Sequence, residues 1–101
     1  MGDSEKALEA WNRYLNFHPE DPAVLTRVAD AYKKSGLRER ALEHYERALA
    51  IDENQRYALM GLGDLFHREK RYDEALLYWE PLLRIDPNLI HVRAMVAKIQ
   101  R

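Results

Sequence analysis

The apolar positions of this chain recur in stripes. Ala41, Leu42, Tyr45, Ala48 and Leu49 fall at offsets of 0, 1, 4, 7 and 8, which puts them on one face of a helix. The stripe returns at a spacing of 34 residues. Trp11, Tyr45 and Trp79 share one register, and Leu15, Leu49 and Leu83 another. Glu5-Lys6-Ala7-Leu8, Glu39-Arg40-Ala41-Leu42 and Asp73-Glu74-Ala75-Leu76 open the three copies. A second series lies between them: Leu25, Leu59 and Arg93; Val28, Leu62 and Val96; Ala29, Gly63 and Ala97; Tyr32, Phe66 and Gln100. Self-similarity at one period, with helical spacing inside each series, predicts a stacked repeat of paired amphipathic helices.

The spacing predicts six helices, near 4–17, 22–35, 38–51, 55–69, 72–85 and 89–100. Asp21-Pro22 reads as a cap and first turn, because Asp accepts from free backbone amides and Pro has no amide to lose. Gly36 suits the left-handed position after a helix. Asn54 and Asn88 occupy equivalent places and are expected to cap the helices that follow. Lys70 stands where the first turn has Gly36. Pro81 falls inside the fifth stripe, which runs on through Leu82 and Leu83. One kinked helix is expected there, not two.

These residues resemble the tetratricopeptide repeat (TPR), a 34-residue helix-turn-helix. One copy reads Leu25, Val28, Ala29, Tyr32, Gly36, Ala41, Tyr45, Ala48, and the next Leu59, Leu62, Gly63, Phe66, Tyr72, Ala75, Trp79, Pro87. Glu53, Lys70, Leu82 and Gln100 depart from the family pattern. The resemblance implies an all-α, right-handed solenoid of six antiparallel helices, with a concave face lined by the first helix of each pair. Small residues at 29, 63 and 97 would let paired helices approach. Aromatic residues at 32, 45, 66 and 79 would fill the space between units.

The frame is out of phase with the repeat. Residues 4–19 match a second (B) helix, 22–53 and 56–87 are complete A-B units, and 89–101 match a first (A) helix, giving B, A-B, A-B, A within one domain of residues 1–101. A solenoid needs polar ends. Arg93 and Gln100 supply some polarity at one end, whereas Leu8, Trp11 and Tyr14 leave the other apolar. The chain is accordingly expected to be a piece of a longer array. It is also expected to self-associate through Leu8, Trp11 and Tyr14 at one end and Val92, Val96 and Ile99 at the other.

Composition narrows the chemistry. Without cysteine there is no disulfide, thiolate metal site or cysteine nucleophile. His18, His44, His67 and His91 lack metal-ligand spacing and read as scattered surface residues, with His67 and His91 turned toward the groove. Gly61-Leu62-Gly63 lies inside a helix with no strand before it, so packing explains Gly63 better than phosphate binding does, and Gly61 would simply lower the groove wall. Most of the carboxylates fall on second helices and face outward, several beside a cation one turn away, as in Glu43 with Arg47. We therefore expect no enzyme, no cofactor and no metal. Sixteen Lys and Arg against seventeen Asp and Glu give a net charge of −1, the wrong balance for a nucleic-acid binder. Neither a membrane-spanning run nor a signal pattern is visible, and a cytoplasmic location is expected.

Function is expected on the concave face. The residues that leave the packing stripe are Arg27, Asp30, Lys33 and Lys34; Tyr57, Met60, Asp64, His67 and Arg68; and His91, Met95 and Lys98. Five are Lys or Arg and two are Asp, which favours an acidic protein or peptide partner. The chaperone-binding members of the family hold a terminal carboxylate with Lys, Asn, Asn, Lys and Arg. The matching positions are Thr26, Asp30, Gly61, His91 and Met95, so the resemblance implies no Hsp70 or Hsp90 tail held by that clamp. Two other functions fit the pattern less directly: assembly through the terminal helices, and RNA binding by helical repeats.

Overall fold

In the computed structural model, which describes residues 2–100, six helices follow one another: α1 (Gly2–Phe17), α2 (Pro22–Lys34), α3 (Arg38–Ile51), α4 (Arg56–Arg68), α5 (Tyr72–Ile85) and α6 (Ile90–Ile99). Each lies within two residues of its expected span. Among the described residues there is no strand. Arg101, which the last half-unit was expected to include, lies outside them. Pro81 sits inside α5, which remains one helix.

The helices pair as the repeat demands. α2 packs most extensively on α3 and α4 on α5, while α1 lies on α2, α3 on α4 and α5 on α6. Two first helices, α2 and α4, have Cα atoms within 8 Å of each other, whereas α3 and α5 have none. α2 and α4 thus converge while α3 and α5 splay. The stack curves with α2 and α4 on its inner side, an all-helical solenoid.

The turns explain the helix ends. Asp21 caps α2, its carboxylate accepting from the amides of Ala23 at 3.1 Å and Val24 at 3.3 Å. Gly36 takes φ +79° after α2, and the Leu37 amide reaches back to the Tyr32 carbonyl at 2.9 Å. Lys70 adopts φ 61° after α4, with the Arg71 amide on the Phe66 carbonyl at 2.9 Å. The same turn is made without glycine, at a cost of order 1 kcal/mol for a side chain in left-handed space. The expected caps at Asn54 and Asn88 are corrected. Asp52 and Asp86 come first, and their carboxylates accept from the amides of Asn54 at 3.0 Å and Asn88 at 3.3 Å. This local turn leaves Gln55 and Leu89 at the cap positions, neither with a side-chain cap bond.

The core is built from the repeated registers. Leu25, Val28, Ala29, Ala41, Tyr45 and Ala48 of the first complete unit are buried, and so are Leu59, Leu62, Gly63, Ala75, Trp79 and Leu82 of the second. Two aromatic rings lie on glycines. Tyr45 lies against Gly61 of the following unit, and Trp79 against Gly63 of its own; a Cβ built at either glycine would overlap the ring. The packing role expected of Gly63 follows from that overlap. Gly61 is corrected, since it does not merely lower the groove wall but makes room for Tyr45. Ala97 is exposed, because no second helix follows α6 among the described residues. Two further expectations change. His44 is buried at 8% exposure, its Nδ1 2.7 Å from the Arg40 carbonyl oxygen and its ring beside Tyr32. Glu43 and Arg47 form no ion pair among the described residues; Arg38 forms one instead, bridging both oxygens of Glu69 and tying the α4–α5 turn to the start of α3. Arg38 holds the Glu69 carboxyl below the usual range and is itself raised by the bond.

A glycine inside a helix ordinarily gains about 0.5–1 kcal/mol on replacement by alanine. Gly63→Ala should reverse that sign, because the new methyl must displace the Trp79 ring, and should lose about 1–3 kcal/mol in urea unfolding. A stabilised variant would show that Trp79 yields freely.

Candidate functional site

The inner face presents one row of residues from each first helix. Arg27, Lys34, Tyr57, Arg68, His91 and Lys98 are exposed on it, and Asp30, Lys33, Met60, Asp64, His67 and Met95 are half-buried. Two neighbouring positions are engaged elsewhere. The Thr26 hydroxyl donates to the Pro22 carbonyl at 2.8 Å and is buried, and Gly61 is covered by Tyr45.

Two hollows open on this face. One, of about 240 Å³, is lined by Ala23, Thr26, Arg27, Asp30, Gln55 and Tyr57, at the start of α2 and α4. The other, of about 380 Å³, is lined by His67, Tyr72, Met95, Lys98 and Ile99, between the end of α4 and α6. Sequence reasoning missed Gln55, Tyr72 and Ile99 as lining residues. Gln55 precedes its helix and belongs to no stripe, Tyr72 opens a second helix, and Ile99 read as an end-face residue. Spacing carried no signal for any of them.

Between the hollows the charges are arranged unequally in the two units. Asp30 accepts a hydrogen bond from the Tyr45 hydroxyl, which crosses from the core to reach it. Burial first, and then that bond to Asp30, push the Tyr45 hydroxyl pKa far up, so it remains a donor. Lys33 places its Nζ 5.8 Å from the centre of the same ring. The equivalent pair in the next unit is Asp64 and Trp79. Trp79 has its indole N–H buried without a partner, so Asp64 has no phenol to receive. Burial raises the Asp64 pKa, against the pull of Lys33, Arg68, His91 and His67. Asp64 is thus a half-desolvated carboxylate ringed by cations and imidazoles from α2, α4 and α6.

The residues expected to join copies are mostly occupied. Val92 and Val96 are 1% and 8% exposed, packed in the core, and so are corrected as free contact residues. Leu8, Trp11 and Ile99 are half-buried against that core, with Arg27 stacked 5.6 Å from the Trp11 ring centre. Tyr14 is 40% exposed and is bonded to Asp21 at 3.3 Å. Among the described residues no cluster of three His, Asp or Glu could hold a metal ion, and no helix is long and apolar enough to cross a membrane.

A family model described as tetratricopeptide repeat matches residues 26–89. Among solved structures, the first TPR of Spaghetti (RPAP3), bound to the HSP90 peptide SRMEEVD, superposes with a TM-score of 0.88 at 21% identity, covering 98% of this chain and 80% of that one. At that identity the likeness carries the fold. Because that neighbour is bound to an HSP90 peptide, the expectation that no Hsp70 or Hsp90 tail is held by a carboxylate clamp gains no support from it. No curated protein sequence matches the chain.

Because burial raises the Asp64 pKa, the ionised carboxylate costs stability at neutral pH. That cost falls away as pH drops through the raised value toward the ordinary aspartate value of about 3.9. Asp64→Asn should therefore raise the Tm at pH 7, by roughly 1–4 °C, and the gain should shrink as the melt is repeated toward pH 4. A variant that melts lower at pH 7 would show that the surrounding cations outweigh desolvation.

Proposed function

The chain belongs to the tetratricopeptide-repeat family, and on that footing we propose that it is a non-catalytic protein-interaction module that binds an acidic, extended peptide along its concave face. The observation that carries this reading is the cluster of Lys33, Arg68, His67 and His91 around a half-buried Asp64, set between two side-chain-sized hollows. Arg27 and Lys98 line those hollows, so cations continue along the face. An acidic segment entering here meets positive charge that a single desolvated carboxylate does not cancel.

The hollows set a length. Tyr57 and His67 are ten positions apart on α4, roughly 15 Å at about 1.5 Å per residue. An extended peptide covers that span with about five residues at about 3.3 Å each. The reading is a peptide with an anchoring side chain at each end and acidic residues between. Tyr57, at 62% exposure, and the flexible Met60 and Met95 supply adaptable apolar contact for the anchors. The positions of the family's carboxylate clamp carry Thr26, Asp30, Gly61, His91 and Met95. A terminal carboxylate would therefore be met by Lys33, Arg68 or Lys98 rather than by that clamp.

A second reading is assembly of copies through α1. Ala7, Ala10 and Tyr14 are exposed, although the equivalent Ala41, His44 and Ala48 are buried under a partner helix. The α6 end is less suited, because Arg93 stands where Leu25 is fully buried.

The first reading is checked with the acidic peptide SRMEEVD, labelled and followed by fluorescence anisotropy. Lys33→Glu, Lys34→Glu and Arg68→Glu combined should weaken its binding at least about tenfold, a change of about 1.4 kcal/mol. Unchanged affinity would place the site elsewhere. For the second reading, light scattering over a concentration series should show mass rising with concentration, and Ala10→Glu should abolish the rise without lowering the Tm; a constant monomeric mass would remove that reading.

A further inference from the structure

The convex side carries a break in the repeat that the concave groove does not use. Along the outer ridge of the second helices, α1 presents Glu9 and Arg13 and α3 presents Glu43 and Arg47, all exposed. At the same two positions α5 presents Leu77 and Pro81. Leu77 is 68% exposed, so one complementary-charge pair has become an apolar ridge facing water. Pro81 has no amide to donate to the carbonyl of Leu77, one turn back, so the helix lacks that one backbone bond beside the Leu77 side chain.

The ridge borders a trough. α3 and α5 have no Cα atoms within 8 Å of each other, and the space between them is about 500 Å³. Leu59 of α4 forms part of its floor, with Leu49 on one wall and Leu77, Tyr78, Pro81 and Ile85 on the other. Its surroundings carry more acid than base. Glu53 lines the trough itself, and Asp73 and Glu80 line the adjoining outer hollow beside Leu77 and Pro81, with Glu80 accepting a hydrogen bond from Gln100 at 3.4 Å. Glu46 lies close enough to Tyr78 to help burial push that hydroxyl pKa up. Arg84 also lines the trough, and Arg47 stands one turn from Glu43 on the α3 ridge.

We propose that this trough is a second interaction surface, independent of the concave groove, and that it receives a basic amphipathic helix from a partner protein. Residues 77, 81 and 85 follow one another at four-residue steps, so they form a ridge that the grooves of a packed helix accept. The wall from Leu77 to Ile85 is roughly 12 Å long, about two turns. A partner helix with Leu, Ile or Met at i, i+4 and i+7 would fill it, in the manner of helix-in-groove recognition. Lys or Arg flanking those anchors would meet Glu46 and Glu53 on the α3 side and Asp73 beside Leu77. The charge preference is opposite to that of the concave face, so the two surfaces would select different segments.

The test uses the full chain and two synthetic helical peptides of about 16 residues, the length at which an isolated helix becomes marginally stable. Both carry the same Leu seam, and one has Lys, the other Glu, at the remaining positions. The Lys peptide should bind in calorimetry, weaken as salt rises, and protect the amides of Leu77–Ile85 from hydrogen exchange; the Glu peptide should not bind. Leu77→Glu with Pro81→Arg rebuilds the pair that α1 and α3 already carry and removes a helix-interior proline, so it should stay folded by circular dichroism. It should bind the Lys peptide at least tenfold more weakly while leaving SRMEEVD binding unchanged. Leu77→Glu alone should weaken the Lys peptide in the same direction if the double variant does not fold. The proposal is overturned by equal binding to the variants, by no Lys-peptide binding, by preference for the Glu peptide, or by a wild-type dimer that the double variant abolishes, which would make a second copy the occupant.

Discussion

Two large rings rest on two glycines, Tyr45 on Gly61 and Trp79 on Gly63. Each glycine faces a ring that leaves no room for even one methyl group. Interiors are packed at crystal-like density, so such a seat sets the distance between two helices rather than merely permitting it. The Trp79 seat brings the two helices of a unit together, and the Tyr45 seat locks one unit to the next. With α2 and α4 drawn close and α3 and α5 farther apart, the stack acquires its curvature. The concave row of charges and the convex trough are two sides of that one geometric consequence.

Because the scaffold repeats, its differences are informative. Equivalent positions have nearly equivalent backbone surroundings, so a change of residue at one of them is a change of surface chemistry on constant geometry. Tyr45 donates to Asp30, but the Trp79 indole N–H makes no bond to Asp64, and the second carboxylate is left half-desolvated among cations. Glu43 and Arg47 are solvated on α3, but Leu77 and Pro81 stand in their places on α5. The first exchange lies in the core at Trp79 and is felt inward at Asp64; the second lies outward at Leu77, and together they make the second complete unit the chemically distinctive part of the molecule.

Local signals were legible where the physics is local. Asp21 followed by Pro22 specifies a capped start, and the structure bears it out, because one carboxylate and one missing amide suffice. Gly36 in left-handed space follows from its lack of a Cβ. Asn54 and Asn88 misled because a neighbouring Asp, two residues earlier, takes the turn first. Lys70 shows that the repeated helix-end geometry overrides residue preference: its turn bonds match those of Gly36 despite the side chain.

Periodicity by itself determined the six helices, their pairing and the identity of the core, since a 34-residue register of apolar stripes has few other ways to bury its faces. Period also separated the stripe from the row facing the groove. Which rows end up adjacent across units was decided only by tertiary structure. The reach of Tyr45 to Asp30, the burial of His44, and the inclusion of Gln55 and Tyr72 in the groove hollows all arise between elements. So does the trough beside Leu77. Such contacts depend on the angle and separation at which whole helices meet, and those are set by how side chains of different size seat on one another, a quantity that no spacing along the chain encodes.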